Sequence, residues 1–441
     1  MAGTGVRAPG PRSADHGNGD PSLVRTDKGI VRGTVTDTVR RFQGIPYAAP
    51  PTGERRCAMY GAQRLAAEGD VVVVTVNYRL AALGYLAHPD LEKRGESGNY
   101  GFLDQQAALR WVRRNAAAFG GDPDNVTLFG QSAGGYSTCA HMVAPSSAGL
   151  FDRVILQSAP CTADMGRRER AAALVQGKDT VEALRKGRPE EDWRTTPVDR
   201  LVNHFGTGPE YGPTYGGTLL PRTPQEAFAT GKFNKVPVLQ GINRHEERGR
   251  VYGFELAKKI ATKDPAAQFD RVDYDRHLKG TFKDQAPTVA AQYPISAYGN
   301  SPALALAAAL TDGNWARHSI DTGRALARQV PTYTYEFADG EVPWYADAGY
   351  QKPGFDVGAA HMFELPYLFE LDAYESLTPA QQDLSREMIR IWSRFARTGE
   401  ADWKPTTPAA PNVQSLASGP GGIRSVDFAK DHQYDFWKSL R

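Results

Sequence analysis

Among 441 residues there are only three cysteines, and almost no net charge: 52 Lys and Arg against 50 Asp and Glu leave +2. Each shortage excludes something. Three cysteines do not make a disulfide scaffold. So even a charge balance gives no argument for nucleic acid or an anionic membrane as a partner. No apolar run approaches the length of a bilayer span, and Val71 to Val74 is a buried strand at most. No H-E-x-x-H and no clustered Cys/His set is present, so neither a metal nor another cofactor is expected. The first residues, Met1 to Asp20, are rich in Gly, Pro, Arg and Asp and lack the apolar core of a signal peptide. They are expected to be flexible. The chain as written therefore carries no secretion signal, and its compartment stays open.

What is present is the material of a globular protein: 41% apolar and 23% charged residues. The length suits one large α/β domain or two to three small ones. With no internal repeat and no linker, the expected organisation is a flexible extension over 1–21 and a single domain over 22–441. Leu23 to Val35 reads as a hairpin around Asp27-Lys28-Gly29. Val71-Val-Val-Val-Thr-Val-Asn-Tyr78 is the clearest strand, and its continuous β-branched run suits a parallel sheet covered on both faces. Asp104 to Phe119 reads as a helix ended by Gly120-Gly121 and Pro123. Further strands are expected at Arg153–Ala159, Val236–Gly241 and Pro331–Phe337, with an amphipathic helix over Ser385–Arg397. The tail from Trp403 to Leu440 reads as loop-rich.

One stretch organises the rest. Val126 to Phe129 is a short apolar run, followed by Gly130-Gln131-Ser132-Ala133-Gly134 and then a helix to Val143. This fits G-x-S-x-G, the sharp strand-to-helix turn that holds a nucleophilic serine above a sheet. Alone it is a weak signal in a chain with 45 glycines. Upstream stand Gly98-Asn-Tyr-Gly-Phe-Leu-Asp-Gln-Gln106, Ala108-Leu-Arg-Trp-Val112 and Phe119-Gly-Gly-Asp-Pro123. The whole run from Gly98 to Gly135 resembles the type-B carboxylesterase family. Arg40-Arg-Phe-Gln-Gly-Ile-Pro-Tyr-Ala-Ala-Pro-Pro-Thr-Gly-Glu54 resembles that family's N-terminal signature. The resemblance implies an α/β-hydrolase fold, with a mostly parallel central sheet and helices on both faces.

The resemblance breaks after Arg56. The family continues there through strands and a His-Gly-Gly-Gly loop that supplies oxyanion donors, whereas Cys57-Ala-Met-Tyr-Gly61 comes next here. The sheet is therefore expected to lack one or more interior strands. Either Val71–Tyr78 closes up beside Val126–Phe129 or a weak seam remains.

A serine hydroxyl needs a base within hydrogen-bond reach, and the base needs an acid to fix its tautomer. The family resemblance implies Ser132 as nucleophile, His361 as base and Glu246 as acid. His361 stands in Gly358-Ala-Ala-His361 with Glu364-Leu-Pro-Tyr-Leu-Phe369, and Glu246 in Gly241-Ile-Asn-Arg-His-Glu246. Glu247 is the rival acid. His141 lies about 13 Å of helix rise from Ser132 and is rejected as the base. The N–H of Ala133 is expected to be one oxyanion donor. Cys139 and Cys161 could pair or remain buried thiols, with thiols preferred. Cys57 borders the gap. Asn125-Val-Thr127 matches a glycosylation sequon but leads into a buried strand. The function implied is hydrolysis of small-molecule carboxylic esters through an acyl-enzyme, with activity reduced by the missing loop. The alternative is a catalytically impaired binding protein or damaged paralogue on the same fold.

Overall fold

The computed structural model describes residues 2–7, 20–45, 47, 61–92, 97–164, 168–187, 190–198, 200–201, 211–346 and 351–440. The readings of residues 8–19, of the N-terminal signature over 48–54 and of Cys57 lie outside the described residues.

Eight strands build the central sheet: β1 (Ala2–Arg7), β2 (Val71–Thr75), β3 (Val126–Gln131), β4 (Arg153–Gln157), β5 (Val238–Asn243), β6 (Thr332–Phe337), β7 (Val413–Leu416) and β8 (Arg424–Val426). Their order is β8-β7-β6-β5-β4-β3-β1-β2. From β3 to β7 every neighbour is parallel. β8 is antiparallel at one edge. The side chains show why these runs form a covered sheet. Val126 and Leu128 join one core with Phe102, Leu109 and Met142. Phe129, the next residue along, joins another with Leu384, Met388, Trp392 and Phe395. Val154 and Ile155, and Val238 and Leu239, divide in the same way. Successive side chains of a strand point to opposite faces, so a strand with helices on both sides must be apolar throughout.

On the first face lie α2 (Tyr100–Asn115) and α3 (Ala133–Val143), and on the second α1 (Gln63–Gly69) and α6 (Pro379–Thr398). The α6 helix starts six residues before Ser385, where its apolar stripe suggests it begins, because Thr378 and Gln381 form a capping box that sets its N-terminus at Pro379. A third, helical core forms beside the sheet around α4 (Pro302–Thr311), whose alanines at 303, 305, 307 and 309 are all buried. The helix runs on through Asp312–Ala316 into α5 (Arg317–Ala327). No helix among the described residues is long and apolar enough to cross a membrane.

Four expectations are corrected. Neither arrangement expected for the sheet occurs: β2 does not pair with β3, and no seam is left between them. Instead β1 lies between, antiparallel to both, from Ala2↔Gly130 to Val6↔Val126 on one side and from Gly3↔Thr75 to Arg7↔Val71 on the other. Two interior strand edges present rows of N–H and C=O groups that must be paired, and an extended segment supplies both rows. The first 21 residues are thus not flexible throughout. Composition misses this because backbone pairing asks little of side chains. The tail read as loop-rich contributes β7 and β8. Finally, Cys139 and Cys161 form a disulfide rather than two thiols. The α3 helix packs against the segment leaving β4 and brings their Cα atoms to 5.6 Å, within bonding range. Asn125 is buried and its side chain accepts from Arg153, in keeping with a sequon that leads into a strand.

Removing residues 1–7 strands the facing edges of β2 and β3. Each buried backbone group left without a partner costs about 1–3 kcal/mol. Denaturant titration of the truncated chain is expected to show a loss of more than about 3 kcal/mol. An unchanged unfolding midpoint would show that the sheet does not need this strand.

Candidate active site

The turn at Ser132 is set by steric need. β3 ends at Gln131 and α3 begins at Ala133. Ser132 sits between them at φ 52°, ψ −119°, a left-handed backbone that a side chain normally avoids. Such a conformation stores ~1–3 kcal/mol and persists only where its surroundings impose it. Here they do: the Ser132 N–H donates to Gln157 O at 2.9 Å, and Ser132 O accepts from Tyr136 N at 2.9 Å. A Cβ at Gly130 would lie 2.3 Å from the Gly134 carbonyl carbon, and one at Gly135 would lie 2.3 Å from Ala159 Cβ. Neither position has room for a side chain, so only glycine fits. Ser132 is half-buried and Ala133 exposed. The Ala133 N–H opens α3, where first-turn donors have no intrahelical acceptor and the helix dipole favours negative charge.

His361 and Glu246 meet across two loops. One follows β5, the other runs through Gly358–Glu364. His361 Nδ1 lies 2.5 Å from Glu246 Oε2. The other carboxylate oxygen, Oε1, accepts from Asn243 N at 2.9 Å. The loops are laced together elsewhere. His361 N donates to Glu246 O at 3.2 Å, and His245 N donates to Ala359 O at 3.0 Å. Asn243 Nδ2 donates to Ala360 O and to Glu364 Oε2, both at 2.7 Å. His245 Nδ1 accepts from Ala359 N at 3.2 Å. Burial, then Arg248 and Arg244, push its pKa down to about 2, so this ring is neutral and structural. Gly358, at φ +48°, lets the loop pass: a Cβ there would sit 2.4 Å from His245 Nδ1.

Glu247 turns the other way. Its Oε1 accepts from Trp315 Nε1 at 2.6 Å, and Arg250 stands 3.0 Å from its Oε2. Of the two adjacent glutamates, Glu246 is therefore the one at His361. Trp315 in turn packs its ring 5.0 Å from that of His361.

The second ring nitrogen, His361 Nε2, lies 3.3 Å from Gln131 Nε2, on the residue before Ser132. With Nδ1–H given to Glu246, Nε2 is an acceptor and the Gln131 amide the donor. Among the described residues no hydrogen bond joins the Ser132 hydroxyl to His361. The structure thus brings His361 to Glu246 and to the end of the nucleophile strand, with Gln131 on the nitrogen that faces the turn. His141 is a packed residue. It is buried, bonded to Ser147 Oγ at 2.9 Å and Gln105 Oε1 at 3.0 Å, and stacked on Phe102. Four contributors escaped the sequence reading. Gln131 and Glu364 stand inside motifs quoted for other members, and Asn243 lies three residues before Glu246. Trp315 has no local signal.

Electrostatics follow from this crowding. Burial lowers the pKa of His361, but the carboxylates of Glu246, Glu364 and Glu247 outweigh it, and the net direction is upward from 6.5. Burial pushes Glu364 up to about 7. Burial also raises Glu247. In an NMR titration the His361 ring protons are expected to change above pH 6.5. Glu246→Gln should lower that midpoint by about one unit or more, since an adjacent opposite charge is worth about 1–3 units. Glu247→Gln should move it less. A larger effect from Glu247 would reverse the assignment of the two glutamates.

Comparison with known proteins agrees with this architecture. The model of the carboxylesterase family matches residues 57–437. The chain is 31% identical to the para-nitrobenzyl esterase of Bacillus subtilis (strain 168) over 369 residues, 80% of this chain and 68% of that protein. It is 30% identical to a cocaine esterase of Oryctolagus cuniculus over 373 residues, 77% of this chain and 64% of the relative. With a fumonisin B1 esterase of Sphingopyxis macrogoltabida it shares 33% over 360 residues, 78% of this chain and 62% of the relative. The chain thus spans about two thirds of the length of these relatives. A solved thermophilic PNB esterase superposes with a TM-score of 0.71 at 23% identity, covering 94% of this chain and 99% of that one, which shows a shared fold. With its mostly parallel sheet and helices on both faces, the protein is an α/β-hydrolase, and it belongs to the carboxylesterase family.

Proposed function

We propose that the protein is a carboxylic ester hydrolase acting on small-molecule esters through Ser132, His361 and Glu246. The observation that most supports this is the 2.5 Å contact between His361 Nδ1 and Glu246 Oε2, with Nε2 turned toward the strand end that carries Ser132. Glu246 keeps the proton on Nδ1, so Nε2 is free of one and can take another. For catalysis Nε2 exchanges its Gln131 amide for the Ser132 hydroxyl.

In the first half-reaction Ser132 Oγ attacks the ester carbonyl carbon and its proton passes to Nε2. The tetrahedral intermediate collapses, and the alcohol leaves with that proton. Water then attacks the acyl-enzyme carbonyl and gives a proton to Nε2. The carboxylic acid departs as Ser132 Oγ takes the proton back. The Ala133 N–H faces the developing oxyanion, as residues following the nucleophile do on this fold.

A second reading, an impaired hydrolase-fold protein, is favoured by one observation. The strand beside β3 runs antiparallel to it, so it does not deliver the loop that a parallel neighbour would place next to Ser132. Each lost oxyanion donor costs on the order of 3 kcal/mol. Turnover is therefore expected to be reduced rather than absent.

A fluorophosphonate probe is expected to label Ser132, and Ser132→Ala to abolish the label. Short p-nitrophenyl esters should be hydrolysed, with Glu246→Gln lowering kcat by ~10³–10⁴-fold. Folded protein that neither labels nor turns over would leave the second reading. The pH profile has a worked sign. His361 must be neutral to accept a proton, so kcat/KM falls as pH drops. Because its pKa is raised, half-maximal activity should lie above pH 6.5. A midpoint below that value would contradict the carboxylate environment assigned to His361.

A further inference from the structure

The helical run from α4 to α5 is not uniform. A π-helical turn, Asp312–Ala316, joins them. Such turns are rare, and where they occur they re-aim side chains, frequently at functional sites. Here two side chains are re-aimed. Trp315 reaches Glu247 with its indole N–H and lies against the His361 ring. Asp312 turns away and accepts from Tyr293 OH at 2.8 Å. Its other oxygen lies 2.5 Å from His432 Nδ1.

His432 comes from the C-terminal segment, more than a hundred residues away. Its second nitrogen, Nε2, lies 2.8 Å from Glu336 Oε1. Glu336 stands on β6, and its Oε2 accepts from Arg244 at 2.9 Å. Arg244 precedes Glu246 by two residues and reaches Asp431 at 3.3 Å with its other nitrogen. His432 is 4% exposed, Asp312 6% and Glu336 0%. The Phe428 ring packs 4.4 Å from the imidazole. The charged and titratable groups around His432 are Asp312, Glu336, Arg244 and Asp431, with the neutral His245 beyond.

Both ring nitrogens face carboxylate oxygens, so both must carry protons. A neutral ring donates from one nitrogen only and would leave one buried carboxylate without its donor, which is strongly unfavourable. Burial opposes the charge, but Asp312 and Glu336 outweigh burial and raise the pKa to about 10.

We propose that the buried His432 imidazolium is a positioning residue for ester hydrolysis. It ties the π-turn that carries Trp315 to β6 and, through Glu336 and Arg244, to the loop that carries Glu246, so that His361 is held between Trp315 and Glu246. This inference rests on the Ser132–His361–Glu246 reading above. His432 touches no reacting atom and acts through the two elements that flank the base.

The test compares His432→Gln, which has no charge, with His432→Lys, which keeps one. Two readouts are used: p-nitrophenyl ester kinetics and the NMR titration of the His361 ring. His432→Gln is expected to lower kcat tenfold or more with KM changed less than threefold, and to shift the His361 titration midpoint. His432→Lys should recover most of both. A merely structural role would lower the melting temperature without moving kcat or the His361 midpoint at a temperature where the variant is folded. If His432→Gln does not fold, Asp312→Asn carries the same expectation with less change of shape. Wild-type kcat and an unmoved His361 midpoint in these variants, or His432→Lys no better than His432→Gln, overturn the proposal. If the wild type has no turnover, the triad reading fails on that result alone, while the His361 titration still decides the positioning role. Stability adds a third readout. With a folded-state pKa of about 10 against 6.5 unfolded, the contribution of His432 is full below pH 6.5 and lost as pH rises through about 10. Melting temperature should therefore fall across that window in the wild type and less steeply in His432→Gln. Equal slopes would count against the charge.

Discussion

Three carboxyl groups crowd one imidazole, and none of them is exposed by more than 1% of its surface: Glu246, Glu247 and Glu364 around His361. A carboxylate taken out of water is tolerated only where donors replace the water. Most of the local architecture can be read as the supply of those donors. Asn243 gives its backbone N–H to Glu246 and its side-chain amide to Glu364. Trp315 gives its indole N–H to Glu247. His361 gives Nδ1–H to Glu246. Because each donor comes from a different element, satisfying the charges also fixes where β5, the Gly358–Glu364 loop and the π-turn sit relative to one another.

The nucleophile turn answers a different constraint, which is steric. Ser132 is held at a positive φ between a strand and a helix that nearly touch, and the glycines at 130 and 135 remove the atoms that would collide. This arrangement is rigid and local. The imidazole side of the site is held by many weaker contacts among distant segments. The geometry joins the two halves at Gln131, whose side chain lies on His361 Nε2 while its backbone ends β3.

The sheet beneath them is held to the same standard of satisfied polar groups. β1 between β2 and β3 pairs both inner edges over five residues each. It runs antiparallel to both of them.

The sequence by itself determined the turn at Ser132, the strands β3 to β6, the helices α2, α3 and α6 in outline, and the loops of His361 and Glu246 as candidates. These are features whose physical requirements are contiguous: a glycine where backbones touch, and apolar residues throughout a strand covered on both sides. Only the tertiary structure decided which of two adjacent glutamates meets His361, a contact between residues 115 positions apart. It alone placed Gln131 on Nε2, Trp315 behind the ring, residues 2–7 in the sheet and Cys139 against Cys161. Each of these depends on separate segments arriving at one point, and no local pattern records the direction from which a distant segment arrives.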